Sequence, residues 1–289
     1  MAITLVPNKH IGVIFQPRSG STLLRHYLKY LLNYVDTGEM FNLLVEEAKL
    51  EFKGNNVRLV NGGELRQIKT DEQSNKVRAL EHLNTLDKLT SINKYCIFGI
   101  YTQSYQSYFS ELSQLLAKRS DVQFFKLDRA DFLYSLISAW VSKITGKFHS
   151  LTQIENATLK ERKIDSFLYP LEELEWQLTN YIISVDHINY YFPNLNTIYY
   201  EEFQTKPSNI MNLFDGVPKK ILSLTMNKFI GDYKEKVLNL TEIETYYENF
   251  VNQYPDYFPQ YHNKLPNIII PSCQGKQPNQ HETNREFVQ

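Results

Sequence analysis

The sequence predicts an α/β fold with a central parallel sheet and helices on both sides of it. Short apolar runs rich in β-branched and aromatic residues alternate with longer segments whose apolar residues recur at helical spacing, the pattern of βαβ units. The chain has no repeat at a fixed period, which sets repeat architectures aside. A hydrophobic share of 42% over 289 residues supports a substantial core and excludes disorder for most of the length.

Residues 11–16 (IGVIFQ) predict a buried strand. From Ser21, Leu23, Leu24, Tyr27, Leu28, Leu31 and Leu32 recur at helical spacing, which predicts a helix to about Asn33. MFNLLVEEAKLEF (40–52) predicts a second helix, and residues 53–75, with GNN and NGGE, predict loop and turn. YCIFGIY (95–101) predicts a strand followed by a helix over 104–118; VQFFKLD (122–128) predicts the next strand, and ADFLYSLISAWVSKI the helix after it. Residues 145–168 are polar and irregular. A long helix is predicted over 170–191, with Pro170 at its first position. NTIYY (196–200) predicts a fourth strand, and helical character resumes near Ser208. No linker separates two folded halves, so residues 1–270 read as one domain with a helical elaboration. The polar tail, 271–289, predicts loose order.

Charge narrows the function classes. Lys and Arg number 31 against 32 Asp and Glu, a net −1. That balance argues against a nucleic-acid coat and leaves room for one local basic pocket. Cys96 and Cys273, the two cysteines, offer neither a disulfide framework nor a zinc cluster, which suits a reducing compartment. No run approaches the ~20 apolar residues of a membrane span, nor the core of a signal peptide. The expectation is a cytoplasmic chain without nucleic-acid or membrane partners.

The stretch VIFQPRSGSTLLRHYLKYLL (13–32) carries the chemistry. Strand, tight turn and helix start in succession build an anion site, because the first helical N–H groups lack intrahelical partners and the helix dipole favours negative charge. Gly20 permits close backbone approach, Ser21 and Thr22 add hydroxyls, and Arg18 adds a charged fork of donors. An ordinary hydroxyl N-cap would explain Ser and Thr, but neither the arginine nor the glycine. A triphosphate loop, G-x-x-x-x-G-K-[ST], is out of register: Ser21 stands where the lysine belongs.

PRSGSTLL resembles the 5′-phosphosulfate loop of sulfotransferases, especially the bacterial type acting on carbohydrates such as trehalose. FFKLDRADFLYSLISAW resembles that family's strand–Arg–helix–Ser element, which holds the donor's 3′-phosphate. LNTIYYEEFQTKPSNIMNLF resembles its "YEDL" segment. The resemblance implies a P-loop-like three-layer domain that uses 3′-phosphoadenosine 5′-phosphosulfate as donor, requires no metal, and sulfates a small-molecule or carbohydrate acceptor. It assigns Arg18, Ser19, Gly20, Ser21 and Thr22 to the 5′ end of the donor, and Arg129 with Ser138, or alternatively Ser135, to the 3′-phosphate. For the general base, Glu39 in VDTGEMF resembles the glutamate the bacterial carbohydrate enzymes place after the first helix. His26 and then Asp36 are further candidates. Glu201 or Glu202 in YYEEF reads as a strand-end carboxylate bonding loop amides. Lys228, Lys234 and Lys236 form a small basic set, and the aromatic stretch 245–262 reads as core or as a sugar-facing surface. The chain departs from the family after the second strand's FG, where Ile100 and Tyr101 replace an expected lysine. It also lacks the eukaryotic RKG stretch. A kinase-like nucleotide phosphotransferase and a non-catalytic nucleotide-binding protein are the alternative readings.

Overall fold

A computed structural model describes residues 3–16, 18–39, 49–53, 56–60, 72–102, 106–145, 166–204, 214–215 and 233–262. In chain order the elements are β1 (Ile3–Thr4), β2 (His10–Phe15), α1 (Ser21–Leu32), β3 (Val35–Asp36), β4 (Lys49–Lys53), β5 (Asn56–Val60), α2 (Glu72–Ser91), β6 (Cys96–Tyr101) and α3 (Gln106–Ala117). They continue with β7 (Val122–Asp128), α4 (Phe132–Thr145), α5 (Leu171–Tyr191), β8 (Asn196–Tyr199), α6 (Tyr200–Gln204) and β9 (Phe214–Asp215), and a last long helix spans Leu240–Gln253.

The fold is mixed α/β. Its main sheet has five strands in the order β3-β6-β2-β7-β8, every pairing parallel. β2 lies at the centre with all six residues buried, which is why HIGVIF is a nearly continuous apolar run. Its side chains part by strand alternation. Ile11, Val13 and Phe15 pack with Leu24, Leu28 and Leu31 of α1. Ile14 joins Leu86 and Leu89 of α2, Leu112 and Leu116 of α3, and Phe192 in a second cluster. A third cluster joins α4, α5 and the last helix through Leu136, Ile137, Tyr181, Ile243 and Phe258.

Topology places the candidate site. The chain leaves β2 toward β3 on one side, and leaves β7 toward β8 on the other. Neighbouring strands whose connections diverge open a crevice at their carboxyl ends, the usual ligand position in such sheets. That crevice lies between Phe15 and Asp128, with the 16–20 turn above one strand and Arg129 above the other.

Several expectations are corrected. The stretch from Lys49 onward is not helical: β4 pairs antiparallel with β5 across GN, with Leu50 opposite Leu59 and Phe52 opposite Val57. A cross-strand partner outweighed a helical period written into too few residues. The same pairing makes a strand of part of 53–75, predicted as loop, and α2 begins within it at Glu72. Helix α2 itself escaped prediction because charged residues crowd its buried stripe of Ala79, Leu83, Leu86 and Leu89. Pro170 caps α5 in extended conformation (φ −66°, ψ 130°) and does not open it. Tyr200, read as strand, begins α6. Residues 40–48, the helical restart at Ser208, Lys228, Cys273 and the 271–289 tail lie outside the described residues. Among the described residues no helix is long and apolar enough to cross a membrane.

Candidate functional site

The turn between β2 and α1 is held in a tight conformation. Ser19 N–H donates to Gln16 O at 3.3 Å, and both Arg18 (φ 60°) and Gly20 (φ 88°) are left-handed. Gly20 is the N-cap of α1 and makes no side-chain cap bond, so Ser21 and Thr22 are the first two helical residues and not the cap. The first N–H groups of α1 therefore have no capping side chain before them. Two buried polar atoms beside them, Ser19 Oγ and Gln16 Nε2, have no hydrogen-bond partner.

Gly20 has a second reason to be glycine. A Cβ there would lie 2.2 Å from the Tyr200 ring, so the close approach is to the Cδ2–Cε2 edge of a ring supplied by the start of α6. That ring also stacks under Arg129, whose guanidinium carbon is 4.5 Å from its centroid and 5.0 Å from that of Tyr134.

The two distant motifs meet at this turn. Arg129, buried at the end of β7, donates from Nη1 to Arg18 O at 3.1 Å. Arg18 Nε donates to Ser138 Oγ on α4, also at 3.1 Å. Ser135, a turn earlier and buried, donates its N–H to the carbonyl of Asp131, just before α4. Arg129 is not a surface arginine held by Asp128 or Asp131. Its Nε lies 3.4 Å from Glu201 Oε1, an ionic contact without hydrogen-bond direction. Glu201 Oε2 accepts the N–H of Ala130 at 2.9 Å, and Glu202 accepts that of Tyr199 at 2.8 Å. Asp128 accepts from Tyr181 Oη at 2.7 Å and pairs with Lys126 at 3.0 Å. The carboxylates around Arg129 thus organise the strand ends.

On the other side of α1, the turn after β3 carries Glu39. Asp36 Oδ1 accepts the Gly38 N–H at 2.9 Å, and Gly38 O accepts the Gly99 N–H at 2.8 Å. Glu39 is thereby brought across β6, its Cγ 3.4 Å from the point where a Gly99 Cβ would stand. Arg25 Nε is 3.6 Å from the same point, and Arg25 Nη1 pairs with Asp36 Oδ1 at 3.2 Å. Asp36 is committed to that ion pair and to the Gly38 amide, which leaves it badly placed to serve as a base. His26 packs edge-to-face on Tyr30 at 4.8 Å, and burial, with Lys29 nearby, lowers its pKa. Lys234 pairs with Asp131 at 3.6 Å, and Lys236 is exposed. Within 245–262, Tyr247, Val251 and Phe258 are core, whereas Tyr261 is exposed.

Sequence reasoning missed Tyr200, Arg25 and Gln16. Arg25 had a readable signal: a charge four residues after Ser21, flanking the apolar stripe of α1. Tyr200 had none, since its role needs α6 to fold back over the turn. A scan against protein-family models and a search of curated proteins found no match for this chain.

Proposed function

We propose that the chain is a sulfotransferase: it binds 3′-phosphoadenosine 5′-phosphosulfate across the carboxyl ends of β2 and β7, and transfers the sulfuryl group to a hydroxyl of a carbohydrate or another small metabolite. One observation carries this reading. Arg18 and Ser138, 120 residues apart, meet in the turn before an uncapped helix start, and Arg129 bonds the Arg18 carbonyl in that same turn. A ligand with phosphate groups at both ends of a ribose matches such a paired grip, and the all-parallel strand order, counted along the sheet as 2-3-1-4-5, supports the P-loop-like reading.

In this reading the N–H groups of Ser21 and Thr22, with Arg18, take up the charge that grows on the leaving phosphate as the S–O bond breaks. Ser138 and Arg129, on the β7 side, face the 3′-phosphate. The buried Ser19 Oγ and Gln16 Nε2 gain acceptors when the phosphate oxygens arrive. Glu39, on the β6 side of α1, takes the acceptor's proton while the hydroxyl attacks sulfur in line with the leaving oxygen. Sulfuryl carries less charge than a γ-phosphoryl group, so this scheme needs no metal ion.

Calorimetry with adenosine 3′,5′-bisphosphate tests the reading. Binding by the native chain that is lost in Arg18→Ala supports it; absence of heat in both refutes it. A nucleotide-dependent phosphotransferase shares the strand order and predicts magnesium-dependent ATP binding instead.

A further inference from the structure

The chain has two tryptophans, and both line one open cleft. The cleft encloses about 410 Å³ between the last turns of α4 and the first turn of α5, lined by Trp140, Lys143, Pro170, Glu172, Glu173 and Trp176. We propose that it is a binding site for a neutral oligosaccharide, independent of the donor site at α1.

Each wall supplies a part of that recognition. Trp176 is 54% exposed, an unusual state for so large an apolar surface, and presents indole to solvent. Trp140 is braced from behind by the buried Tyr169, ring centroids 5.7 Å apart, so its plane is fixed before anything binds. A pyranose has an apolar C–H face and a rim of hydroxyls, and it stacks its face on such a ring. The rim then needs donors and acceptors in fixed places. Lys143 and Glu173 form an ion pair at 2.9 Å, and Glu173 also accepts from Gln177 Nε2 at 2.8 Å, which locks the carboxylate. Glu172 adds a second acceptor, while α5 starts without a side-chain cap behind Pro170, leaving its first N–H groups as donors. The volume suits one or two sugar rings.

Charge separates this ligand from its competitors. One lysine against two glutamates makes the lining net negative, which opposes an anion. A small organic cation would seek the indole faces, but Lys143 Nζ already stands 4.9 Å from the Trp140 centroid. A neutral polyol carries no charge for the lining to repel, stacks on the exposed Trp176 indole rather than on the Trp140 face that Lys143 covers, and hydrogen-bonds to both members of the ion pair.

Because no other tryptophan is present among 20 tyrosines, fluorescence of the full chain excited selectively at the red edge, where tyrosine does not absorb, reports this cleft alone. Titration with maltotriose and cellotriose is expected to shift the emission saturably for at least one of them, with a dissociation constant on the order of 1 mM. In Trp176→Ala, with Trp140 left as reporter, affinity is expected to fall by at least ~10-fold, since a stacked Trp carries a large share of a small interface. Trp176→Phe, which keeps a platform, is expected to fall between. The proposal is overturned if neither sugar changes the emission, if Trp176→Ala titrates like the native chain, or if tetramethylammonium alone produces the change. Loss of bisphosphate binding at α1 with sugar binding intact would sink the sulfotransferase reading and leave this one standing.

Discussion

Arg18 Nε donates to Ser138 Oγ at 3.1 Å, joining the turn above β2 to the second turn of α4. The bond ties the arginine's Nε to α4 and so fixes the plane of its fork beside the turn. Ser138→Ala is expected to weaken adenosine 3′,5′-bisphosphate binding about 10-fold and Arg18→Ala about 100-fold, the difference between a neutral and a charge-assisted contact. Titration calorimetry measures both, and equal affinities across the three proteins would count against the site.

Glu39→Gln separates a base from a structural carboxylate. Turnover is expected to fall at least ~100-fold while bisphosphate affinity stays within about 2-fold, because the amide keeps the shape and loses the proton acceptor. Single-turnover rates at saturating donor make the comparison.

Gly20→Ala is expected to cost about 2–4 kcal/mol in a denaturant melt, from a left-handed backbone plus the collision with Tyr200. Adding Tyr200→Ala removes the collision but not the backbone strain. The double variant should therefore be more stable than the sum of the two single losses predicts.

Arg25→Met leaves Asp36 without its cation in a largely buried pair and is expected to cost about 3 kcal/mol. Amide exchange at Gly38 and Gly99 should accelerate selectively, because their hydrogen bonds belong to the turn that Asp36 organises. Uniform acceleration over the whole sheet would refute that local role.

Stability should fall as pH drops below about 6.5, the ordinary histidine value. His10 is fully buried at the amino end of β2, and burial lowers its pKa, with Arg119 adding to the shift and Asp121 opposing it. Its Nδ1 accepts the Cys96 N–H at 3.1 Å, so the ring is neutral with the proton on Nε2, which bonds Thr90 Oγ1 at 2.9 Å. The unfolded chain takes up a proton below 6.5 and the native ring resists it, so the native state loses ground until its own lowered pKa is reached. His26, also lowered, acts in the same sense. Asp121, lowered mainly by Arg119 against its burial, contributes only in more acidic solution. His10→Gln is expected to flatten the dependence of the melting midpoint between pH 7.5 and 5.5 by about half.

The central strands were legible because β2 and β6 are buried almost throughout and so must be written as apolar runs, while β7, part-buried at Gln123, Phe124 and Lys126, still shows Phe124, Phe125 and Leu127 in its middle. The tight turn between β2 and α1 was legible because a left-handed cap at a helix mouth calls for glycine, wherever the helix later packs. β3 was not legible: two residues carry no period, and only the edge of β6 makes them a strand. Nor was the antiparallel pairing of β4 with β5, in which Leu50 stands opposite Leu59 and Phe52 opposite Val57.

The sequence by itself determined the seat proposed for an anion at the start of α1, since hydrogen-bond geometry there is local to a few residues. Only the tertiary structure decided what surrounds that seat: Ser138 against Arg18, Arg129 clamped by Glu201 and Tyr200, Arg25 tied to the turn that carries Glu39. These are long-range meetings set by the order in which the strands line up. A parallel sheet brings successive strand ends to one edge, whatever the length of chain between them.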